Sequence, residues 1–170
     1  MNDHELWQHG IEKCRELRDS VESSIKPEYA RLLERIICCK SELMEGVRFS
    51  GGSAICTECG GECCLHGKYH LTPADILAYL QRGETTIYPN FSCRPHCPYS
   101  NSSGCLMSGE MRPVTCIIFN CNLLERSFGD ETKRAMGQLE HELRQTISHL
   151  NKLLGMRIDR PLLLWSSEQK

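Results

Sequence analysis

The sequence lacks a surplus of positive charge, is poor in aromatic residues and has no long apolar run, and each shortage removes a class of function. Lys and Arg number 20 against 22 Asp and Glu, a formal net charge of -2. A nucleic-acid binder needs a basic surface interleaved with stacking rings, and aromatic residues make up only 6% of this chain. Nucleic acid is therefore not an expected partner. No stretch approaches the roughly 20 apolar residues that cross a bilayer. The first residues, MNDHELWQHGIEKC, carry acidic and histidine side chains in place of the apolar run of a secretory signal. No serine stands in a nucleophile-elbow sequence, so hydrolysis by a Ser/His/Asp set is not indicated. The expectation is a cytoplasmic protein with no membrane segment.

Cysteine, by contrast, is abundant: 12 in 170 residues. In a reducing compartment such a density points to metal or redox chemistry, and a secreted disulfide scaffold is the competing reading. Nine of the twelve fall between residues 56 and 121: Cys56, Cys59, Cys63, Cys64, Cys93, Cys97, Cys105, Cys116 and Cys121. The run opens as C-x2-C-x3-C-C. Two cysteines two residues apart can meet one tetrahedral ion from a single turn, because their sulfurs converge without stretching the backbone. Cys63 and Cys64 are adjacent, so their side chains diverge. One is expected to join Cys56 and Cys59, the other to join later cysteines or a neighbouring centre. A closed zinc site takes four ligands; nine cysteines permit two sites, or one site plus thiols with redox or catalytic work. Zinc and iron–sulfur clusters both accept four thiolates, and the spacing does not choose between them.

Histidine adds further donors. His66 and His70 follow the cysteine pair four residues apart, and His96 adjoins Cys97. Imidazole suits zinc or a non-haem iron ion; each histidine has the plainer reading of a polar loop residue or a donor to a ligand. Cys93 and Arg112 stand in the same two ways. Arg112 either offsets the charge of a thiolate-rich centre or is a surface arginine beside a turn proline.

Helices flank this core. Trp7, Ile11, Cys14, Leu17 and Val21 make an amphipathic stripe over 3–21. A second helix is expected to begin with Pro27 at its first position and to end at Gly46, with Tyr29, Leu32, Leu33, Ile36, Ile37, Leu43 and Met44 on its apolar face. Cys14, Cys38 and Cys39 read as small buried residues. Residues 48–54, RFSGGSA, read as a loop. In LTPADILAYLQRG, Thr72 is the expected N-cap, Pro73 the first helical residue, Asp75 an acid favoured by the helix dipole, and Gly83 the stop. Residues 84–115 read as irregular, and metal ligation would give so long a loop a reason to be ordered. TCIIFNCNLLERSF holds a short apolar segment, strand or helix, and periodicity does not decide between the two. Met136, Leu139, Leu143, Ile147, Leu150 and Leu154 mark a helix over 130–154, packed on the N-terminal helices or at a homodimer seam. Leu162–Trp165 reads as a clasp across the helices.

The expected fold is thus mainly α: an irregular Cys-rich, metal-stabilised core braced by a short helix and packed against a bundle of longer N- and C-terminal helices. Its parts are an N-terminal helical segment (1–47), the metal-binding core (55–125), the C-terminal helix (130–154) and a tail (155–170).

Three segments carry a family resemblance: CTECGGECC at 56–64, LTPADI at 71–76 and GCLMSGEMRPVTCIIFNC at 104–121. They resemble the CxxCxxCC family of zinc- or iron-chelating domains, also described as YkgJ-like. In that family a cysteine group precedes a helix starting near L-T-x-x-D-I. A later cysteine, an R-P-x-x-C segment and a further cysteine follow. The resemblance implies ligation by Cys56, Cys59, Cys63, Cys64, Cys105, Cys116 and Cys121, with Cys97 as a further ligand and Arg112–Pro113 as the R-P pair. It covers the middle of the chain. The Cys59–Cys63 spacing is one residue longer than the family name, and IIFN after Cys116 lacks the arginine often found there. Longer relatives include proteins described as flagellin lysine methyltransferases; this chain has no glycine-rich segment after a strand to hold a methyl donor.

The function expected from these readings is a metal-binding protein that holds zinc or iron and presents a surface to a protein or small-molecule partner. An iron–sulfur or non-haem iron oxidoreductase or electron carrier is the first alternative, and a metal-dependent transferase the second.

Overall fold

The protein, in a computed structural model, is described over residues 1–58, 62–93, 96–102 and 104–167, with the side chains of residues 53, 56, 57, 62 and 63 outside that description. It is mainly helical, as its periodicities require. Helix α1 (Asp3–Ser20) opens with a reciprocal capping box between Asn2 and Glu5. Helix α4 (Pro73–Arg82) follows its sequence signals residue by residue: Thr72 caps it, Pro73 leads it, and Gly83 ends it at φ 66°. Helix α7 (Asp130–Leu154) has acids in its first turn and stops at Gly155, again left-handed at φ 65°.

Helix α2 departs from expectation. It spans Lys26–Phe49, so Pro27 takes the second position and Gly46 lies inside the helix. A Cβ at Gly46 would lie 3.3 Å from Met136 Sδ of α7, so this glycine lets two helices approach closely and does not end either. The left-handed turn comes five residues later, at Gly51 (φ 78°). Because that turn reverses the chain in so few residues, 48–54 is not a loop: it holds the end of α2 and the start of α3 (Gly52–Glu58). TCIIFNCNLLERSF, residues 115–128, resolves as two short helices, α5 (Val114–Ile118) and α6 (Asn122–Ser127), with residues 119–121 between them. A 3-10 helix covers Glu62–Tyr69 and a shorter one Gly109–Met111. Two-residue strands β1 (Ser100–Asn101) and β2 (Gly104–Cys105) pair antiparallel, with Ser100 opposite Cys105.

Helix α7 packs along α2, burying Met136, Leu143, Ile147 and Leu150, so its apolar stripe is used within the chain. Helix α1 packs instead on α4 and on α8 (Leu162–Ser167). Leu162 fits into α1 at Gly10, where a Cβ would come within 2.8 Å of its side chain. Leu162, Leu163 and Trp165 are buried, and the Leu162 amide donates to the Leu71 carbonyl at 2.7 Å. The tail therefore does hold α1 against the start of α4. Cys14 and Cys39 are core residues and Cys38 is half-buried. No helix among the described residues is long and apolar enough to cross a membrane.

Residues 84–99 are largely irregular, and aromatic contacts seat them on α1. Tyr88 stacks on His4 (centroids 5.5 Å apart) and meets Trp7 edge-on at 5.2 Å, while Phe91 meets His4 edge-on at 4.9 Å. Tyr99 is buried at the far end of this segment.

The interaction that ties these layers together is a buried ion pair. Lys40 on α2 and Asp75 on α4 are both 0% exposed, with Nζ 2.9 Å from Oδ1. The same Oδ1 accepts the Val114 amide at 3.0 Å, and Oδ2 accepts the Thr72 amide at 3.1 Å and its hydroxyl at 2.7 Å. Four donors occupy the lone-pair sites a carboxylate offers, so both charges are solvated by protein where water is absent. One side chain thus fixes α2, the start of α4 and the start of α5.

Truncating the carboxylate strands a buried ammonium. Asp75→Ala should destabilise the chain by about 3–5 kcal/mol in chemical denaturation, with Lys40→Met less than additive on top of it. Simple additivity would show that the pair is not coupled. Burial also pushes the Cys14 thiol from 9.0 to about 12, and burial, opposed by Arg35, pushes Cys39 to about 11. The folded state therefore keeps these protons longer than the unfolded chain does. Their contribution is intact below pH 9.0 and is lost as pH rises toward about 12. Stability should fall across that window, by up to about 1.4 kcal/mol per pH unit for each such thiol. Cys14→Ala should flatten the fall, and an unchanged slope would contradict the assignment.

Candidate functional site

Five segments deliver the cysteine region. The 3-10 helix Glu62–Tyr69 carries Cys64 and His66 and ends just before His70, which leads into the Thr72 cap. His66 thus lies inside the 3-10 segment and His70 just beyond it; at three residues per turn, positions four apart do not share a face. The irregular stretch brings Cys93 and Cys97, and the small hairpin presents Cys105. Helix α5 carries Cys116, and Cys121 is the N-cap residue of α6.

Within this region His70 Nδ1 lies 3.2 Å from Cys116 Sγ. Helix α5 is held at that place by the bond from the Val114 amide to Asp75, two residues before Cys116. Cys116 is exposed on one side, yet protein crowds its sulfur on the other. That desolvation, joined by the fields of Cys97, Asp75, Cys105 and Cys64, pushes its thiol well above the ordinary range. Cys116 thus lies within electrostatic range of three cysteines, each on a different segment. Burial, and then the neighbouring His66, lowers the pKa of His70 and favours the neutral imidazole that ligation requires.

Cys97 is buried and closely confined. A Cβ on Gly67 would overlap its sulfur and stand 2.7 Å from its Cβ, so the 3-10 helix can pass Cys97 only because residue 67 is glycine. Ser100 donates to the Cys97 carbonyl from both its amide (3.1 Å) and its hydroxyl (2.8 Å). Arg112 is half-buried, and its Nε is buried with no hydrogen-bond acceptor among the described residues.

Cys93 and Cys121 are half-buried and His96 is exposed. None of the three makes a side-chain hydrogen bond to His70 or Cys116 among the described residues. Cys59 lies outside the described residues, as do the side chains of Cys56 and Cys63. The nine described cysteines are thiols, not disulfides. Among the described residues alone, no three His, Cys, Asp or Glu side chains converge as a metal site. The closest approach is therefore a two-donor one. Tetrahedral zinc with Zn–S near 2.3 Å and Zn–N near 2.05 Å would set sulfur and nitrogen about 3.6 Å apart. The His70–Cys116 pair needs to open by only a few tenths of an ångström to admit such an ion.

Sequence reading missed Gly67 and Lys40 and gave Asp75 too small a part. Lys40 had a visible signal: it falls on the apolar stripe of α2, in step with Leu33, Ile36 and Leu43. Gly67 had none, since nothing local marks a glycine kept for a sulfur 30 residues away.

No protein-family model, curated protein or solved structure matches the chain, so the likeness to the CxxCxxCC family rests on the motifs themselves.

Gly67→Ala should push the 3-10 helix off Cys97 and cost about 1–3 kcal/mol, as overpacking does. Thiol labelling at neutral pH should find Cys97 more reactive in this variant. Unchanged stability and labelling would show that the close approach carries no constraint.

Proposed function

We propose that this chain is a cytoplasmic metal-binding protein that holds zinc or iron through its clustered cysteines and presents the surface around them to a protein or small-molecule partner. The observation that supports this reading most is the 3.2 Å approach of His70 Nδ1 to Cys116 Sγ within the fields of Cys97, Cys105 and Cys64. Cysteine sulfur and neutral imidazole are the donors zinc and iron prefer, and both stand here on elements tied to one buried carboxylate. Cys64, Cys97, Cys105, Cys116 and His70 would serve with Cys56, Cys59 and Cys63, whose C-x2-C-x3-C-C order is a ligand spacing in its own right. Cys121 and Cys93 would complete a second centre. The buried Nε of Arg112 suits a donor to a thiolate, which would offset part of the charge that several sulfurs collect.

A bound ion would add folding energy to the region, and as iron–sulfur it would also carry electrons. The chain's own residues do the rest. Asp75 fixes where α5 starts, Gly67 allows the 3-10 helix to pass Cys97, and lowered basicity keeps His70 able to bind at neutral pH.

Purification without oxygen or chelator, followed by analysis for zinc, iron and inorganic sulfide, tests the reading. Bound metal in whole-number stoichiometry is expected. Cys56→Ser or Cys59→Ser should lower it and open the middle of the chain to protease, whereas Cys14→Ser should do neither. Iron with stoichiometric sulfide would assign an electron-transfer role. Metal content and protease protection unchanged in both core variants would contradict the proposal.

A further inference from the structure

Beside the thiol region lies a groove of about 680 Å³ that none of the described cysteines lines. That is within the range of small-molecule sites. Its floor is apolar: Val114 and Ile118 from α5, and Ile147 from α7. Its rim is cationic, with Arg144 and Lys152 on α7 and Arg157 in the turn beyond it. The hydroxyls of Thr115 and Ser148 also line it, both on exposed residues.

The charge here runs against that of the molecule. The whole chain carries -2, yet the lining holds three cations and one carboxylate, Asp159. Asp159 is already engaged: Arg157 reaches it through Nε at 2.7 Å and Nη2 at 3.0 Å, and Asn151 bonds to it as well. These contacts hold the Asp159 carboxyl below its usual range, Arg157 being the larger cause. Arg144 turns Nε and Nη2 toward Glu140, outside the groove, at 2.9 and 2.8 Å. Each guanidinium keeps its second terminal nitrogen out of these bonds. Lys152 makes no ion pair among the described residues. Both arginines already demonstrate what they accept, since each holds a carboxylate of the chain itself. An ammonium left over beside an apolar floor calls for one more.

We propose that this groove binds a small organic carboxylate, its apolar part on Val114, Ile118 and Ile147 and its charge on Lys152 with help from Arg144 and Arg157. The site stands on its own lining residues and does not need a bound metal. It adjoins the candidate centre all the same: Thr72 and Thr115 line the groove, two residues after His70 and one before Cys116.

Titrating the isotope-labelled full chain with hexanoate, followed by amide chemical shifts in low salt, tests the proposal. Saturable shifts should gather at Thr115, Ile118, Ser148, Asn151 and Lys152, with a Kd on the order of millimolar for so small a probe. Hexanol, of equal apolar length and no charge, should bind at least about tenfold more weakly, the worth of one charge-assisted contact. Lys152→Glu, an exposed change that should leave the spectrum folded, should weaken hexanoate by a similar factor, and Ser148→Trp should fill the groove and abolish binding. The proposal is overturned by no saturable shift with hexanoate, by hexanol binding equally well, by indifference to Lys152→Glu, or by inorganic phosphate producing the same shifts more tightly. Each of these results is independent of the metal content of the sample.

Discussion

A single carboxylate with four donors sets the geometry of this protein. Asp75 is fully buried with Lys40, Thr72 and Val114 bonded to it, and those partners belong to different parts of the chain. Satisfying it therefore fixes the separation of α2 from α4 and the point where α5 begins. Two residues beyond Val114 stands Cys116, and two residues before Thr72 stands His70. The network thus places both members of the His70–Cys116 pair. An apolar replacement of the pair would pack well enough, since buried ion pairs seldom add net stability. What such a replacement would lose is direction. Hydrogen bonds to fixed amides point, and hydrophobic contacts do not.

The cysteine region accordingly has a scaffold independent of any ion. Rings of His4, Trp7, Tyr88 and Phe91 seat the irregular stretch on α1, and Gly67 admits Cys97 beside the 3-10 helix. Among the described residues, His70 is left beside Cys116, and Cys64, Cys97 and Cys105 lie within its electrostatic range. This also accounts for the paired readings of Cys116. Solvent touches it from outside, while protein and neighbouring thiols make its anion costly unless a cation shares the space.

Much of the helical frame could be read directly from residues. Thr72, Pro73, Asp75 and Gly83 mark α4 without help from tertiary structure, because capping and left-handed stops are local chemistry. The stripe of α7 is equally plain. The misplaced end of α2 has a different cause. Gly46 looks like a stop signal, and only the approach of Met136 from a helix 90 residues away gives it another purpose. Asp75 shows the same limit at the site. Its local role as a capping acid was legible, whereas its partnership with Lys40 and Val114 depends on how three distant segments meet. The candidate donors were named by residue type and spacing; which of them meet, as His70 and Cys116 do, follows from packing that spacing does not encode.

The most direct test of the account is X-ray absorption at the metal edge of the anaerobically purified, full-length protein. A first shell dominated by sulfur near 2.3 Å, with a nitrogen contribution that disappears in His70→Ala, is the predicted result. A shell made only of oxygen and nitrogen, or a sulfur shell untouched by replacing both His70 and Cys116, would contradict it.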